Sequence, residues 1–117
     1  LVLSSLYRWK DVWQKGDLAS YLSFYDEKDF YRPDGMSFRT FSEHKKNVFE
    51  KNETKTIRIS NINVSIYPNE GHRNMYRISF IQDYKATLNG KPSFNSLGKK
   101  DMYVVVENGK IKILSER

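Results

Sequence analysis

Hydrophobic residues in the first third of the chain recur with the spacing of amphipathic helices. The first predicted helix has one apolar face, formed by Leu6, Trp9 and Trp13 with Val12 beside them. Ser4 or Ser5 is predicted to cap its start, and Gly16 is placed to end it in a left-handed conformation. A second, shorter helix is predicted after Asp17, with an apolar stripe formed by Leu18, Tyr21, Leu22 and Tyr25. Both helices are therefore expected to bring aromatic rings to the core.

A third helix is predicted to begin at Thr40, because Glu43 follows three residues later and completes a capping box. The helix is expected to run to about Asn52. Its apolar face comprises Phe41, Val48 and Phe49. Lys45 falls in the middle of that face. A lysine in this position must reach solvent, pair with a carboxylate or face a wet pocket, because burial of an unpaired ammonium is costly.

From residue 55 onward, apolar residues alternate with period two, which indicates strands. In the first strand the parity changes near Ser60 and Asn61, and this change predicts a β-bulge. The next strand is predicted over residues 76–88, and its covered face includes Gln82 and Tyr84. The covered face of this strand is therefore partly polar.

The remaining residues predict turns, a loop and a hairpin. A turn is expected at residues 68–71, and residues 89–98 are expected to form a connecting loop, because both segments are rich in turn-forming residues. Asn108-Gly109 is the two-residue turn signal of a hairpin. That turn predicts the pairs Val106 with Ile111, Val104 with Ile113, Met102 with Ser115 and Lys100 with Arg117. Lys100 would then share the covered face of the hairpin.

Helices followed by long antiparallel strands predict an α+β domain with its helices on one face of the sheet. We expect residues 1–117 to form a single domain, in which three N-terminal helices pack on a strongly bent antiparallel sheet. A bent sheet that closes over helices forms a cone. Inward residues too polar for a dry core would line the pocket of this cone.

The composition excludes several classes of function. The chain has 117 residues and no cysteine, so disulfide scaffolds, cysteine-ligated metals and thiol catalysis are excluded. Its longest apolar run, residues 104–106, is far shorter than the roughly 18 residues of a membrane span. The net charge of +6 fits an acidic partner, although lysine-rich surfaces also serve solubility. The first residue is not methionine, which suggests either a processed form or a domain of a longer protein.

Neither a catalytic site nor a cofactor site is predicted. His44 and His72 occur in no metal-ligand spacing, and the sequence contains no phosphate loop, nucleophile elbow or dinucleotide-binding glycine pattern. We therefore expect no metal and no cofactor. Nucleic-acid binding is disfavoured, because the lysine and arginine residues are scattered over several predicted faces without forming a stripe.

The order and spacing of several segments resemble the nuclear transport factor 2-like (NTF2-like) superfamily of cystatin-like cones. These segments are Trp9-Lys10-Asp11-Val12-Trp13, Gly16-Asp17, Tyr21-Leu22-Ser23-Phe24-Tyr25, Phe80-Ile81-Gln82-Asp83-Tyr84, Gly98-Lys99-Lys100-Asp101-Met102-Tyr103, Gly109-Lys110-Ile111-Lys112-Ile113 and Glu116. Together they are similar to the accessory domain that follows the catalytic domain in bacterial LD-transpeptidase-family proteins. The likeness extends to the C-terminal domain of the peptidoglycan LD-carboxypeptidases that set helical cell shape in Campylobacter and Helicobacter relatives. Ile111 departs from the pattern, because many relatives have tryptophan at this point of the last strand.

The resemblance implies a non-catalytic cone that binds peptidoglycan, or its muropeptide fragments, in the periplasm. It also implies that the domain positions an LD-carboxypeptidase domain of the same parent chain. The parent protein would then be a hydrolase whose catalytic cysteine lies outside these residues. A dimer through the open face of the sheet is a further expectation.

The candidate ligand pocket consists of polar residues on faces that the periodicity assigns to the interior. They are Tyr25, Lys45, Gln82, Tyr84 and either Lys99 or Lys100, with Phe38 and Tyr31 near the mouth as further candidates. Ammonium groups, tyrosine rings and an amide suit the carboxylates, sugar faces and amides of peptidoglycan. Alternatively, Tyr25, Gln82 and Tyr84 form a hydrogen-bond network inside a closed core. If Lys45 and Lys100 lie together, an anionic ligand or an internal carboxylate must separate their charges.

An enzyme of the ketosteroid isomerase or polyketide cyclase type is the alternative function. Such cones use buried carboxylates and tyrosines, so the candidate residues are Asp29, Asp83, Tyr25 and Tyr84. Asp83 has the wrong parity for this role, since it points away from the face that carries Tyr84. Asp29 lies in a charged run that is typical of an exposed turn. The sequence therefore favours a binding domain without catalytic residues.

Overall fold

Three helices precede four strands in the computed structural model of the chain, which describes residues 2–51, 53–67, 74–107 and 109–116. The helices are α1 (Val2–Lys15), α2 (Leu18–Ser23) and α3 (Phe38–Phe49). The strands are β1 (Thr54–Ile66), β2 (Met75–Leu88), β3 (Lys91–Glu107) and β4 (Lys110–Glu116), and they form one antiparallel sheet in that order. The predicted α+β class is confirmed. Five predicted features lie at least partly outside the described residues. They are the helix end at Asn52, the turn at 68–71, His72, Asn108 and Arg117.

The predicted signals between α1 and α2 are confirmed. Gly16 follows α1 with a φ of 78°, the left-handed conformation that ends many helices. Asp17 then caps α2, because its carboxylate accepts the backbone N–H of Ser20 at 3.2 Å. The predicted cap of α1 is wrong, since Ser4 and Ser5 already lie inside the helix.

The start of α3 differs from the prediction. Ser37, and not Thr40, is the N-cap, and its hydroxyl accepts the backbone N–H of Thr40 at 3.2 Å. The earlier start brings Phe38 into the helix, where its ring lies 5.5 Å from that of Phe30 and 6.3 Å from that of Phe41. Ser37 and Thr40 are both residue types that can cap a helix. Packing of the Phe38 ring favours the helix start at Ser37.

The sheet contains the predicted bulge in β1. Pairing between β1 and β2 shifts between Ser60 and Asn63, and Asn61 has a φ of 52°. By contrast, the predicted loop at residues 89–98 is wrong, because β3 begins at Lys91 and pairs with β2. The two strands join through Asn89 and Gly90, whose φ values of 54° and 77° fit a type I′ hairpin turn.

The pairing of β3 with β4 is confirmed near the turn and wrong further along. Val106 lies opposite Ile111 and Val104 opposite Ile113, as predicted. An irregularity between Tyr103 and Val104 then places Ser115 opposite Tyr103, so that Met102 lies opposite Glu116. Because successive strand residues alternate between faces, this shift turns Glu116 toward the covered face.

Aromatic rings from the helices fill the space above the covered face of the sheet. The fully buried large side chains there include Trp9, Tyr21, Phe41 and Phe80. The residues after α2 also extend the sheet along β4, where the backbone N–H of Ile113 donates to Phe24 at 2.7 Å and Tyr25 forms a parallel bridge with Ile113. This bridge holds the Tyr25 side chain against the end of β4.

Candidate functional site

A cavity of about 650 Å³ opens between α1, α3 and the β2–β3 hairpin. Its volume is in the range of small-molecule binding sites. We call it the Lys45 cavity. Its lining includes Trp13, Lys45, Gln82, Tyr84, Phe94 and Lys100. Lys51 and Glu53 also line it, so the cavity combines aromatic rings, three ammonium groups, a carboxylate and an amide.

Lys45 projects from α3 over the aromatic core. Its Nζ atom lies 5.3 Å from the ring centroid of Trp13 and 5.5 Å from that of Phe41, within the range of cation–π contacts. Among the described residues none forms a hydrogen bond or ion pair with this ammonium group. Burial is the main reason that the pKa of Lys45 falls from 10.5 to about 8; the Glu116 carboxylate opposes the fall and the Lys100 ammonium adds to it.

Lys100 reaches the same cavity from β3 and is paired. Its Nζ lies 3.4 Å from Glu116 Oε1 and 6.0 Å from the ring centroid of Trp13. The Glu116 side chain is only 4% exposed. Burial acts to raise the pKa of Glu116, but the Lys100 and Lys45 ammonium groups and a hydrogen bond from Tyr25 together lower it. Glu116 is therefore a carboxylate that stays ionised behind the cavity wall.

Tyr25 belongs to a closed network beneath the cavity. Its hydroxyl donates to Glu116 Oε2 at 2.9 Å, accepts the indole N–H of Trp9 at 3.2 Å and lies 3.0 Å from the Tyr21 hydroxyl. Burial, followed by the Glu116 charge, raises the pKa of Tyr25 well above its usual value. Of the two roles considered for Tyr25, the structure therefore favours membership of an internal hydrogen-bond network, because Tyr25 binds Glu116 and is only 3% exposed.

Gln82 and Tyr84, in contrast, line the cavity. The Tyr84 ring stacks on Trp13 with centroids 5.3 Å apart and packs edge-on against Phe94 at 5.8 Å. Gln82 Oε1 and the Trp13 indole N–H are buried, and neither has a hydrogen-bond partner in the described part of the chain. Two residues that line the cavity therefore each hold a buried polar atom without a partner, one a donor and one an acceptor.

The structure brings four of the candidates together and separates the others. Lys45, Gln82, Tyr84 and Lys100 share the Lys45 cavity. Lys99 lies opposite Ile81 and is exposed on the other face of the sheet, because no bulge occurs at Gly98. This resolves the choice between the two lysines by geometry.

Phe38 and Tyr31 lie away from the Lys45 cavity. Phe38 lines a second cavity of about 580 Å³, together with Tyr25. The Tyr31 side chain is 59% exposed, and its backbone N–H donates to Leu114 at 2.8 Å. The prediction that these two residues stand at the mouth of the candidate pocket is therefore wrong, because the segment between α2 and α3 runs along β4 instead.

Sequence reasoning missed Glu116 and Trp13 as site residues. Glu116 reaches the covered face only because the pairing of β3 with β4 is irregular at Tyr103. No residue pattern in the sequence predicts this irregularity. Trp13 has the spacing of a core residue and is in fact 5% exposed, yet its indole lines the cavity. The sequence predicts that an anionic ligand or an internal carboxylate separates Lys45 from Lys100. It does not predict that this carboxylate is Glu116.

The carboxylates considered for catalysis lie outside the cavity. Asp83 pairs in register with Arg58 on β1, and its strand position faces away from Tyr84 as predicted. Asp29 lies in an exposed turn. Within residues 2–51, 53–67, 74–107 and 109–116, no group of three or more acidic or histidine side chains could hold a metal ion. His44 stands on the cavity rim without such neighbours.

Comparison with known proteins identifies the family. The model of the Cds6 C-terminal NTF2-like domain matches residues 1–117. The chain belongs to this NTF2-like family. The predicted cone fold is thereby confirmed, and the family likeness extends over the whole chain. No curated protein sequence matches the chain. In the described part of this NTF2-like domain, no helix is both long and apolar enough to cross a membrane.

Solved structures include relatives of this NTF2-like domain. The helical cell shape determining protein Pgp2 from Campylobacter jejuni is 43% identical, with a TM-score of 0.83 over 98% of this chain. A point mutant of the same protein is 42% identical, with a TM-score of 0.91 over 99% of this chain. In both cases the match covers 39% of the Pgp2 chain, so the domain spans about two fifths of that protein.

A more distant structure shares the fold. Bd1075 from Bdellovibrio bacteriovorus is 24% identical, with a TM-score of 0.79 over 98% of this chain and 38% of its own. At this identity the likeness concerns the fold and carries no function to this domain.

Proposed function

We propose that this NTF2-like domain binds peptidoglycan fragments in the Lys45 cavity and does not catalyse a reaction. The observation that carries the proposal is the charge of the cavity. Lys45, Lys51 and Lys100 line it together with Glu53, and Glu116 behind the wall pairs with Lys100, so the ammonium groups exceed the carboxylates by one. An uncompensated ammonium beside aromatic rings favours a ligand with a carboxylate. The similarity to Pgp2, a helical cell shape determinant, adds support for a ligand in the cell wall.

The other walls of the cavity suit the remaining chemistry of peptidoglycan. The stacked rings of Trp13 and Tyr84, with Phe94 at the edge, offer flat apolar surfaces to sugar faces. Gln82 offers an amide to the acetamido and peptide amides of the ligand. Cation, ring and amide thus occur in one cavity, whereas a nucleic-acid groove would continue as a basic stripe along the surface.

A binding role fits the state of Glu116, the buried carboxylate behind the cavity wall. Glu116 is held between Lys100 and Tyr25, and its lowered pKa makes it a poor proton acceptor at neutral pH. Asp29 and Asp83 do not line the cavity, and Glu53, which does, accepts a hydrogen bond from the Ser93 hydroxyl. We therefore infer that any chemistry takes place on a different domain.

The catalytic partner in this proposal is an LD-carboxypeptidase domain of the same parent chain. The single domain of residues 1–117 would form the C-terminal part of a periplasmic hydrolase, since the match to Pgp2 covers only 39% of that protein. By holding peptidoglycan, the domain would position the catalytic domain on its substrate and so support helical cell shape. Self-association through the outer face of the sheet stays a prediction.

An NMR titration of the ¹⁵N-labelled domain with purified muropeptides tests this function. Amide signals of Lys45, Gln82, Tyr84 and Lys100 should shift together, whereas that of Lys99, on the opposite face, should not. An unchanged spectrum at millimolar muropeptide would refute the proposal. Tight, salt-dependent binding of an oligonucleotide would refute it in favour of a nucleic-acid module.

A further inference from the structure

Three polar groups of the Lys45 cavity lack partners among the described residues. The Lys45 ammonium has no hydrogen bond or ion pair there, the Trp13 indole N–H has no acceptor, and Gln82 Oε1 has no donor. Trp13 is 95% buried, given its 5% exposure. Because buried polar groups in folded proteins are almost always hydrogen-bonded, two buried atoms without a partner beside an unpaired ammonium group indicate a recognition site.

Several lining residues of the cavity lie near the Trp13 ring. The Nζ atoms of Lys45 and Lys100 lie 5.3 Å and 6.0 Å from the Trp13 ring centroid, so both cations flank the indole. Tyr84 stacks on the same ring at 5.3 Å, and Gln82 lies two residues before it on the covered face of β2. All of these residues line the same cavity, whose volume of about 650 Å³ suits a small ligand.

The kinds of groups define the ligand. An ammonium and an N–H donor are partners of a carboxylate, whereas an amide oxygen is a partner of an N–H group. A peptide presents both features at its C terminus, where the carboxylate follows the last backbone N–H. We propose that the Lys45 cavity recognises the free C-terminal carboxylate of a peptide stem, with Lys45 and Trp13 on the carboxylate and Gln82 on the terminal N–H. This inference rests on the proposed function, because it names the part of peptidoglycan that is bound.

The charges of the cavity match this ligand. Three ammonium groups (Lys45, Lys51 and Lys100) and one carboxylate (Glu53) line the cavity, and Glu116 lies 3.4 Å from Lys100 behind the wall, so one positive charge remains for one carboxylate. A C-terminal amide keeps one carbonyl acceptor but lacks the negative charge, and an NH2 donor replaces its second acceptor oxygen, so it pairs less well with Lys45 and the Trp13 donor. Discrimination between acid and amide is therefore a specific consequence of this arrangement.

The experiment compares two probes that differ only at this group, N-acetyl-D-Ala-D-Ala and its C-terminal amide, in NMR titrations of the ¹⁵N-labelled domain. The acid should bind at least tenfold more tightly than the amide. The chain has two tryptophans, which gives an internal control. The indole N–H signal of Trp13 should shift with the acid, while that of Trp9, which already donates to Tyr25 at 3.2 Å, should stay in place.

A variant tests the third contact. Gln82→Met keeps the length of the side chain but removes the acceptor, and it should reduce the affinity for the acid about fivefold to tenfold. Lys99→Met, on the opposite face, is the matched control and should bind like the wild-type domain.

The outcomes separate this inference from the function on which it rests. Equal affinities for acid and amide, or muropeptide binding with no binding of either dipeptide, would overturn the C-terminal carboxylate as the recognised group and leave peptidoglycan binding intact. Absence of binding by muropeptides and dipeptides alike would overturn both. A shift of the Trp9 indole in place of Trp13 would also contradict the proposed contacts.

Discussion

Replacing Lys45 by methionine tests the state of the lysine in the cavity. Methionine keeps an unbranched side chain of similar length but carries no charge. In the wild-type domain the Lys45 ammonium lies 5.3 Å from the Trp13 ring centroid, without an ion pair in the described part of the chain. Its pKa falls to about 8, chiefly because of burial. We therefore expect Lys45→Met to stabilise the fold at neutral pH.

The magnitude follows from the pKa difference between the folded and unfolded states. A fall from 10.5 to about 8 means that the charged lysine costs the folded state about 3 kcal/mol at pH 7. Between these two pKa values the unfolded chain holds the proton and the folded chain does not. The wild-type free energy of unfolding should therefore rise with pH, by about 2 kcal/mol between pH 7 and pH 9.5 from this residue alone.

Urea denaturation at pH 7 and at pH 9.5 measures both effects. Lys45→Met should increase the free energy of unfolding at pH 7 by up to about 3 kcal/mol and should lack the lysine-dependent rise with pH. Lys46→Met is the matched control, because Lys46 is the next residue of α3 and is exposed. Comparing the two variants at each pH removes the contribution of the other titrating groups.

Two results would refute this reasoning. If Lys45→Met destabilises the domain at pH 7 by more than about 1 kcal/mol, the lysine takes part in a net favourable buried ion pair. If wild type and Lys45→Met show the same dependence on pH, the pKa of Lys45 is not lowered by the fold.

Further predictions concern the residues around the cavity and the hairpin that forms it. Lys100→Met should destabilise the domain by about 3 kcal/mol in urea denaturation, because it leaves the buried Glu116 carboxylate without its 3.4 Å partner, whereas Lys99→Met on the exposed face should be nearly neutral. Tyr25→Phe removes the hydrogen bond to Glu116, so the folded-state pKa of the Glu116 carboxyl should rise. The stability that the Glu116 carboxylate contributes above its unfolded pKa should then shrink, and acid unfolding should begin at a higher pH. Gly90→Ala should cost about 1 kcal/mol, because the turn holds a φ of 77°, whereas Gly98→Ala should be neutral, since both glycines have open space around them and only Gly90 has a positive φ.

Local patterns predicted the elements that packing does not alter. The helical spacing of Trp9 and Trp13 and the left-handed Gly16 match the structure of α1, and the parity change at Ser60 marks the bulge of β1. The period of α3 also placed Lys45 on the covered face, where it lines the cavity. Periodicity succeeds here because each residue's face depends only on its neighbours in the chain.

Features that depend on contacts between distant residues were not predictable in the same way. Glu116 reaches the covered face through a shift of β4 against β3, which reverses the parity counted from the turn. The glycine and proline content of residues 89–98 is typical of a loop, yet pairing with β2 makes them part of a strand. Asn89-Gly90 is the same two-residue turn signal as Asn108-Gly109. This signal predicts the β2–β3 hairpin that the loop-like composition obscures.

The most direct test of the proposed function is the affinity of Lys45→Met for purified muropeptides, measured by isothermal titration calorimetry beside wild type and Lys46→Met. Loss of one charge-assisted hydrogen bond should reduce the affinity of Lys45→Met at least about tenfold, while Lys46→Met should bind like wild type. Because Lys45→Met is expected to be stably folded, such a loss would report on the ligand contact itself. Equal affinities of all three proteins would contradict the assignment of the Lys45 cavity as the peptidoglycan-binding site.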